Sequence, residues 1–422
     1  MQKPRGTRDL YGREMKLIRK VLDSLIESFR RYGYEEIETP IFERLELFTQ
    51  KSGSEVLDQI YHFEDKSQRE LALRPELTAP AIRLYNNELK SEPKPQKLYY
   101  CGPCFRYERP QAGRWRQFLQ AGIELIGSGR PEADAEVIAL TEDCFESLEF
   151  GNYSLEIGNI GLLRHILSKE GIKGGDQDPI LRAVDSEEEE RIEKELDRSD
   201  ASDDLKDMLF SLISLRGGHS VIDEVEDVLG VLKDVEETLD NFELIIDMLD
   251  SIGVDYVIDF GIARGLEYYT DTVFEVYCGD VQIGGGGRYD GLIEALGGDP
   301  TSAVGVGLGI DRIASFLEDQ GGYSDSSEID IAVLPTADEM VENALEISRI
   351  LRKIGFRVDM DLRGRNLSKS LKHADSKGAR YSLIVGSRDI SDDKVTLRDM
   401  KTGDQTKIGL GKLETEISSL LD

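Results

Sequence analysis

Apolar residues in LIRKVLDSLIESFRRYG, Leu17 to Gly33, recur at helical spacing, so the pattern predicts an amphipathic helix that stops at Gly33. YEEIETPIFE then reads as a strand interrupted by Pro40, which places it at an edge or an interface. QIYHFED and ELALRPE alternate like paired strands, and KLYYCGPCFRYE and RWRQFLQAGIELIG like two longer ones joined through the turn RPQAG. PEADAEVIALTEDCFESLEF predicts a helix. After NYSLEIGNIGLLRHILSKEG the pattern changes, and residues 172–250 read as a polar, helical segment inserted into a strand-rich chain. Strands resume at YVIDFGIARGLEYYTDTVFEVY and run through VQIGGGGRYD to SAVGVGLGIDRIASFLED. QGGYSDSSE is a linker with little to bury. Beyond it, IDIAVLPT, a helix, FRVDMDL, a helix, YSLIVGS, KVTLRDM and a last helix predict a small α/β domain.

The chain has 422 residues, too many for one ordinary core, so two or three domains are expected. No apolar run has the length of a membrane span, and the start MQKPRGTRDL lacks a signal-peptide core. The expectation is a soluble, cytoplasmic protein with no membrane partner. A formal charge of -31 argues at first against a nucleic-acid partner, but the charge is unevenly spread. Residues 172–250 hold 25 acidic and 8 basic side chains, a net of -17. Residues 330–422 hold 16 of each, and within 352–380 there are 9 basic and 3 acidic side chains, a net of +6.

The basic residues that bear on chemistry sit in FRYERPQAGRWRQF, which carries four arginines between Phe105 and Phe118. Alternate residues of a strand share a face, so Arg106 and Glu108 share one on the outgoing strand. Arg114, Arg116, Gln120 and Glu124 share one on the return strand. Guanidinium groups over a sheet suit a polyphosphate such as ATP, although a solvated hairpin with surface arginines has the same composition.

In DFGIARGLEYYTDTVFEVY, Tyr268 and Tyr269 would face opposite sides of a regular strand, one toward the core and one toward a pocket. Gly305, Gly307 and Gly309 follow GxGxG rather than the dinucleotide spacing GxGxxG, and they strip one strand face of side chains. Arg312, on the helix that follows, would lie beside that face. In ALRPELTAP, Thr78 is the default helix cap, and Glu76 is either structural or a fixed negative charge for an ammonium group. Cys101 and Cys104 form CxxC, but no second CxxC or His pair completes a zinc site, so both read as small strand residues and no protein ligand to a metal is predicted.

Taken in order, these segments resemble the histidyl-tRNA synthetases, a family of class II aminoacyl-tRNA synthetases, most closely the archaeal form. PRGTRDL is similar to the family's opening, the long helix and ETP strand to motif 1, FRYERPQAGRWRQF to motif 2 and VGVGLGIDRI to motif 3. RGLEYYTDTVFE resembles the histidine-specific signature, with Glu267 where Asp and Asp271 where Gly is common, and in the motif 2 segment Trp115 stands where Tyr is common. The resemblance implies an α+β fold: an antiparallel sheet flanked by helices, a helical insertion and a C-terminal α/β anticodon-binding domain. Residues 1–171 and 251–320 would be the two parts of the catalytic core, 172–250 the acidic insertion and 328–422 the anticodon-binding domain.

The resemblance also implies roles. Arg106 and Arg264 would be catalytic, and Arg106, Glu108, Arg114 and Arg312 would bind ATP, which brings Mg²⁺. Glu76, Thr78 and Gln120 would bind the α-amino group of L-histidine, with Arg264 on its carboxylate. Glu124 and Tyr269 would hydrogen-bond the imidazole, and Tyr268 and Tyr289 would wall it. Gln111 would meet the acceptor end of tRNA(His), and Pro40 would lie at a homodimer interface. The nearest rival is the catalytically inactive paralogue, the regulatory subunit of ATP phosphoribosyltransferase. Retention of Arg106, Glu124, Arg264 and Arg312 together with a C-terminal α/β domain speaks against it.

Overall fold

The computed structural model describes residues 1–49, 59–107, 115–186, 188–229, 235–263, 268–321 and 329–419. The chain forms two compact units, Met1–Tyr323 and Ser324–Asp422. Among the described residues no helix is long and apolar enough to cross a membrane.

In the first unit the predicted opening helix runs Gly12–Arg31 and buries Leu17, Ile18, Val21, Leu22, Leu25 and Phe29 along one stripe. Gly33 follows with φ +80° and open space around it, so backbone conformation rather than crowding calls for glycine there. The chain then supplies β1 (Glu35–Glu36), β2 (Phe42–Arg44), β3 (His62–Glu64), β4 (Glu70–Leu73), β5 (Gln96–Phe105) and β6 (Gln117–Ile126). It continues with β7 (Tyr153–Asn159), β8 (Arg216–Gly217), β9 (Val257–Asp259), β10 (Thr272–Cys278), β11 (Val281–Arg288) and β12 (Ala303–Gly309). Among the described residues nine of these form one sheet in the order β1-β5-β6-β12-β11-β10-β7-β9-β8, and β2-β4-β3 form a small second sheet. The middle of the large sheet, from β5 to β7, is antiparallel throughout.

The strand broken at Pro40 becomes β1 and β2, which belong to different sheets. Residues 172–250 contain the expected helices, among them Asp178–Asp185, Glu189–Arg198, Asp203–Ile213, Val221–Leu229 and Glu236–Ile252. They also supply β8, a two-residue edge strand that the acidic composition conceals. The last of these helices packs along Pro131–Ser147, so the acidic segment shares the main core.

One buried ion pair ties the site strands to a helix. Arg288, at the end of β11, donates to both carboxylate oxygens of Asp134 in the first turn of Pro131–Ser147, at 3.0 and 3.1 Å through Nε. Its remaining N–H groups reach the Ser128 and Arg130 carbonyls and Asp290. Burial pushes the Asp134 carboxyl upward against the pull of Arg288.

In the second unit β13 (Ile331–Pro335), β14 (Val358–Met360), β15 (Tyr381–Val385), β16 (Lys394–Asp399) and β17 (Gln405–Gly409) form a sheet ordered β14-β13-β15-β16-β17. β17 was not expected from the pattern: QTKIG is polar, and its burial is confined to Ile408 and half-buried Gly409.

Removing one partner of a buried pair strands the other charge. Asp134→Ala should cost about 3–5 kcal/mol in urea unfolding, and Asp134→Leu combined with Arg288→Met should recover most of that loss. Additive losses in the double variant would contradict the pairing.

Candidate active site

The central strands owe their shape to glycines that line up across them. Gly122 of β6 pairs with Gly307 of β12, and Gly307 with Gly285 of β11. One row along, Glu124 pairs with Gly305, and Gly305 with Gly287. Paired residues project to the same side, so these rows form a trough over three strands, partly filled by Tyr100 over Gly122 and by Glu124 over Gly305. A cavity of about 270 Å³ opens above it, lined by Gly284, Gly285, Gly307 and Gly309 and by side chains from several other elements.

At one end of the cavity Glu76 ends the loop after β4. Its carboxylate accepts from the backbone N–H of Thr78 and, at 3.0 Å, of Ala79, the first residues of the helix Thr78–Leu84. The expected cap at Thr78 is thereby corrected. The carboxylate two residues earlier caps the helix, and the Thr78 hydroxyl turns inward to Tyr100 Oη at 3.4 Å. Glu76 keeps some exposed surface because it lines the cavity, yet its surroundings are poor in water, and this desolvation pushes its pKa up against the two backbone N–H groups.

Glu124 lies on the same face of the sheet, over Gly305, without reaching the cavity wall, and is 1% exposed. Tyr100 donates to Oε1 at 2.8 Å and Tyr289 donates to Oε2. A Cβ on Gly305 would overlap Glu124 Oε2, so the glycine is what admits the carboxylate. Desolvation pushes the Glu124 pKa up to about 8, against the Tyr289 and Tyr100 hydroxyls that favour its charged form, with Glu76 adding a smaller upward push. Tyr289, also 1% exposed, is a buried partner of Glu124 and not itself part of the cavity lining.

Tyr268 and Tyr269 depart from the expected strand alternation. They precede β10 in irregular backbone, and both line the cavity, with ring centroids 4.8 Å apart and planes inclined by 49°. Tyr268 also meets Tyr289 edge-on at 5.8 Å, so the three rings form one aromatic corner beside the glycine floor.

Two cations also line the cavity. Arg106 lies over the Phe118 ring at 5.4 Å and donates through Nε to the Pro75 carbonyl at 2.9 Å. Arg312, on the helix Ile310–Asp319, donates to the Gln282 carbonyl and lines the cavity. Arg116, expected to share the face of Gln120, instead stacks over Tyr107 at 4.0 Å and is not part of the lining. Gln120 does line it, beside Gly307.

Arg264, Glu108, Arg114 and Gln111 lie outside the described residues. Pro40 is exposed between the two sheets, far along the chain from the glycine trough, with Ile41 and Phe42 exposed beside it. Cys101 and Cys104 sit three apart on β5 and therefore face opposite sides of the sheet, so they do not form a chelating pair.

Several lining residues escaped the pattern analysis. Phe118 shares the parity of Gln120 and was within reach of it. Asp311 adjoins Arg312, and it accepts from Leu119 N–H at 2.5 Å and from Arg8. Arg8 in turn lies 4.7 Å over Trp115, a contact of high sequence separation that no local signal announces.

A glycine-floored antiparallel sheet with an arginine just past the end of the neighbouring strand and another on the helix that follows fits a class II aminoacyl-tRNA synthetase core. Within that class the chain belongs to the histidyl-tRNA synthetase family, whose model matches residues 6–313, and an anticodon binding domain model matches residues 330–420. It is 43% identical to the histidine–tRNA ligase of Methanocaldococcus jannaschii over 98% of both chains. It is 37% identical to that of Archaeoglobus fulgidus over 100% of this chain and 99% of the relative. Among solved structures, the histidyl-tRNA synthetase of Nostoc superposes with a TM-score of 0.82 at 25% identity, covering 99% of each chain. The apo S. aureus histidyl-tRNA synthetase superposes at 0.76 and 29% identity, again over 99% of each.

The Glu124 carboxyl has a folded-state pKa near 8, above an ordinary value of about 4.3 in the unfolded chain. Between those values the folded state holds the extra proton, so this group's contribution to stability is full at low pH and is lost as pH rises through about 8. Glu124→Gln removes that titration. Between pH 5 and pH 8 the native protein should lose roughly 2–4 kcal/mol more unfolding free energy than the variant, read by urea titration without ligand. Parallel pH profiles would show that Glu124 is ionised throughout.

Proposed function

We propose that this chain is a histidine–tRNA ligase. In the first step a carboxylate oxygen of L-histidine attacks the α-phosphorus of ATP, the bond to the bridging oxygen breaks, and pyrophosphate leaves. In the second a ribose hydroxyl at the end of tRNA(His) attacks the histidyl carbonyl and AMP leaves. Neither step needs a protein nucleophile, so the protein contributes positioning and charge. The observation that carries this reading is the coexistence, in one cavity, of the fixed carboxylate of Glu76, an aromatic corner backed by Glu124, and the cations Arg106 and Arg312 beside a bare backbone floor.

In this reading Glu76 binds the α-ammonium: each carboxylate oxygen has two acceptor sites, so its backbone partners do not exhaust it. Thr78 completes that end, and Gln120 lines the cavity beside Gly307. The imidazole meets Tyr269, with Tyr268 as a wall and Glu124 and Tyr289 buried behind the tyrosine pair. The adenine lies on the glycine floor against Arg312, Arg106 meets the α-phosphate, and Glu108 and Arg114 complete the ATP site. Arg264 bridges phosphate and substrate carboxylate. Mg²⁺ arrives with the ATP phosphates. Gln111 meets the tRNA acceptor end, and residues 330–420 read the anticodon. Residues 1–171 and 251–320 then form the catalytic core around the acidic insertion.

A homodimer fits the surface chemistry. Ile41, Phe42 and Phe63 are each more than two-fifths exposed, and the Phe42 and Phe63 rings meet edge-on at 6.4 Å beside Pro40. A second copy presenting the same patch would cover them.

Two measurements test the proposal. ATP–pyrophosphate exchange should require histidine, because buried polar groups reject analogues that leave them unpaired; exchange of equal rate with another amino acid overturns it. By light scattering the native chain should be dimeric, and Phe42→Asp should shift it toward monomer; a native monomer with full activity would remove the interface from the account.

A further inference from the structure

Cys104 is wholly buried on β5, on the face that also carries Tyr100 and Gly102, among Leu77, Ala81 and Tyr100. It pairs in register with Phe118, which places Gln120 diagonally opposite on the same side. The thiol lies 3.3 Å from Oε1 of Gln120. Burial pushes its pKa up to about 12, so it carries its proton and acts as donor. The two ends of a glutamine amide are alike in shape and are told apart by their partners. As the donor in this contact the thiol favours the oxygen as its neighbour; the reversed amide would offer N–H to a sulfur that accepts only weakly. With Oε1 turned to Cys104, Nε2 is left over the backbone of Gly307, where a Cβ would strike it, and faces the cavity.

We propose that Cys104 is a positioning residue that sets the orientation of the Gln120 amide and so presents an N–H donor, rather than a carbonyl, to the amino acid in the cavity. The donor suits an acceptor, the carboxylate end of the substrate. This revises the part given to Gln120 by family resemblance, since Oε1 is already engaged on the side away from the substrate. The thiol itself touches no substrate and undergoes no chemistry.

The inference rests on the histidine-activating reading of the cavity. It is tested in the full-length protein with Cys104→Ala, Cys104→Val and Cys104→Ser, each checked for an unchanged thermal midpoint of the kind the native chain gives. Alanine and valine both remove the donor, one leaving space and one filling it, whereas serine keeps a donor. In histidine-dependent exchange, the alanine and valine variants should show KM for histidine raised roughly three- to tenfold, the scale of one lost hydrogen bond, with KM for ATP unchanged. The serine variant should restore KM for histidine to within about twofold. Histidinol, which keeps the ammonium and imidazole but lacks the carboxylate, should inhibit native and alanine enzymes equally. An unaltered KM in the alanine and valine variants overturns the proposal. So does a serine variant as impaired as alanine, or a loss of histidinol binding that matches the loss for histidine. Native enzyme whose exchange ignores histidine would instead fail the underlying functional reading and leave the wild-type arm to report it.

Discussion

A carboxylate held in the middle of a sheet is the constraint around which this catalytic unit is arranged. Glu124 is almost fully removed from water, a setting in which its charged form would cost several kcal/mol, so desolvation holds its proton on up to about pH 8. The structure offsets that cost with two phenol donors, Tyr100 from the neighbouring strand and Tyr289 from just beyond β11. Both phenols are pushed well above their ordinary range by burial first and by Glu124 second, so they remain protonated donors. Space for the carboxylate comes from Gly305 directly across the strand pair. The aromatic corner follows, because Tyr289 in its place meets Tyr268 edge-on. Glu124 therefore links three strands and the cavity wall.

The strands that carry this arrangement are poor in side chains, and glycine contributes nothing to packing. Compensation comes from the periphery. Arg288 and Asp134 clamp the end of β11 to a helix start with every direction of the guanidinium occupied. Arg74, 3% exposed, plays a similar part beside β5, with no carboxylate hydrogen-bonded to it among the described residues. It donates to the Thr39, Pro40 and Pro103 carbonyls and lies over Gly102. Burial lowers its pKa, but a guanidinium has ample margin and stays charged. The same side chain holds the Pro40 turn against β5 just before the chain delivers Glu76. The Glu76 end of the cavity and the exposed apolar edge are thus parts of one hydrogen-bonded assembly.

Much of this was legible in the amino-acid pattern. Helix Gly12–Arg31, the β5–β6 pair and the α/β order of the second unit follow from local periodicity, which is strong wherever one face is buried and the other wet. Arg106, Gln120 and Arg312 were placed on the cavity by strand parity and by proximity to glycine. What eluded the pattern has a common cause. Glycine rows exist only across strands, since Gly122, Gly285 and Gly307 are far apart in sequence. The inward pair of tyrosines depends on irregular backbone that breaks the two-residue period. The cap at Thr78 went to Glu76 because a carboxylate two residues upstream satisfied two backbone donors at once. β17 is a polar edge strand whose only fully buried side chain is Ile408, so it leaves almost no hydrophobic signature.

The space shared by Glu124 and Gly305 also restricts the routes by which such a chain can drift. Any side chain added at Gly305 collides with the carboxylate, while shortening Glu124 first leaves a hole and two phenols without their acceptor. Neither change is neutral alone, and the order in which they occur decides whether an intermediate folds. Exchange at these two positions therefore behaves as a single heritable step with a valley on either side.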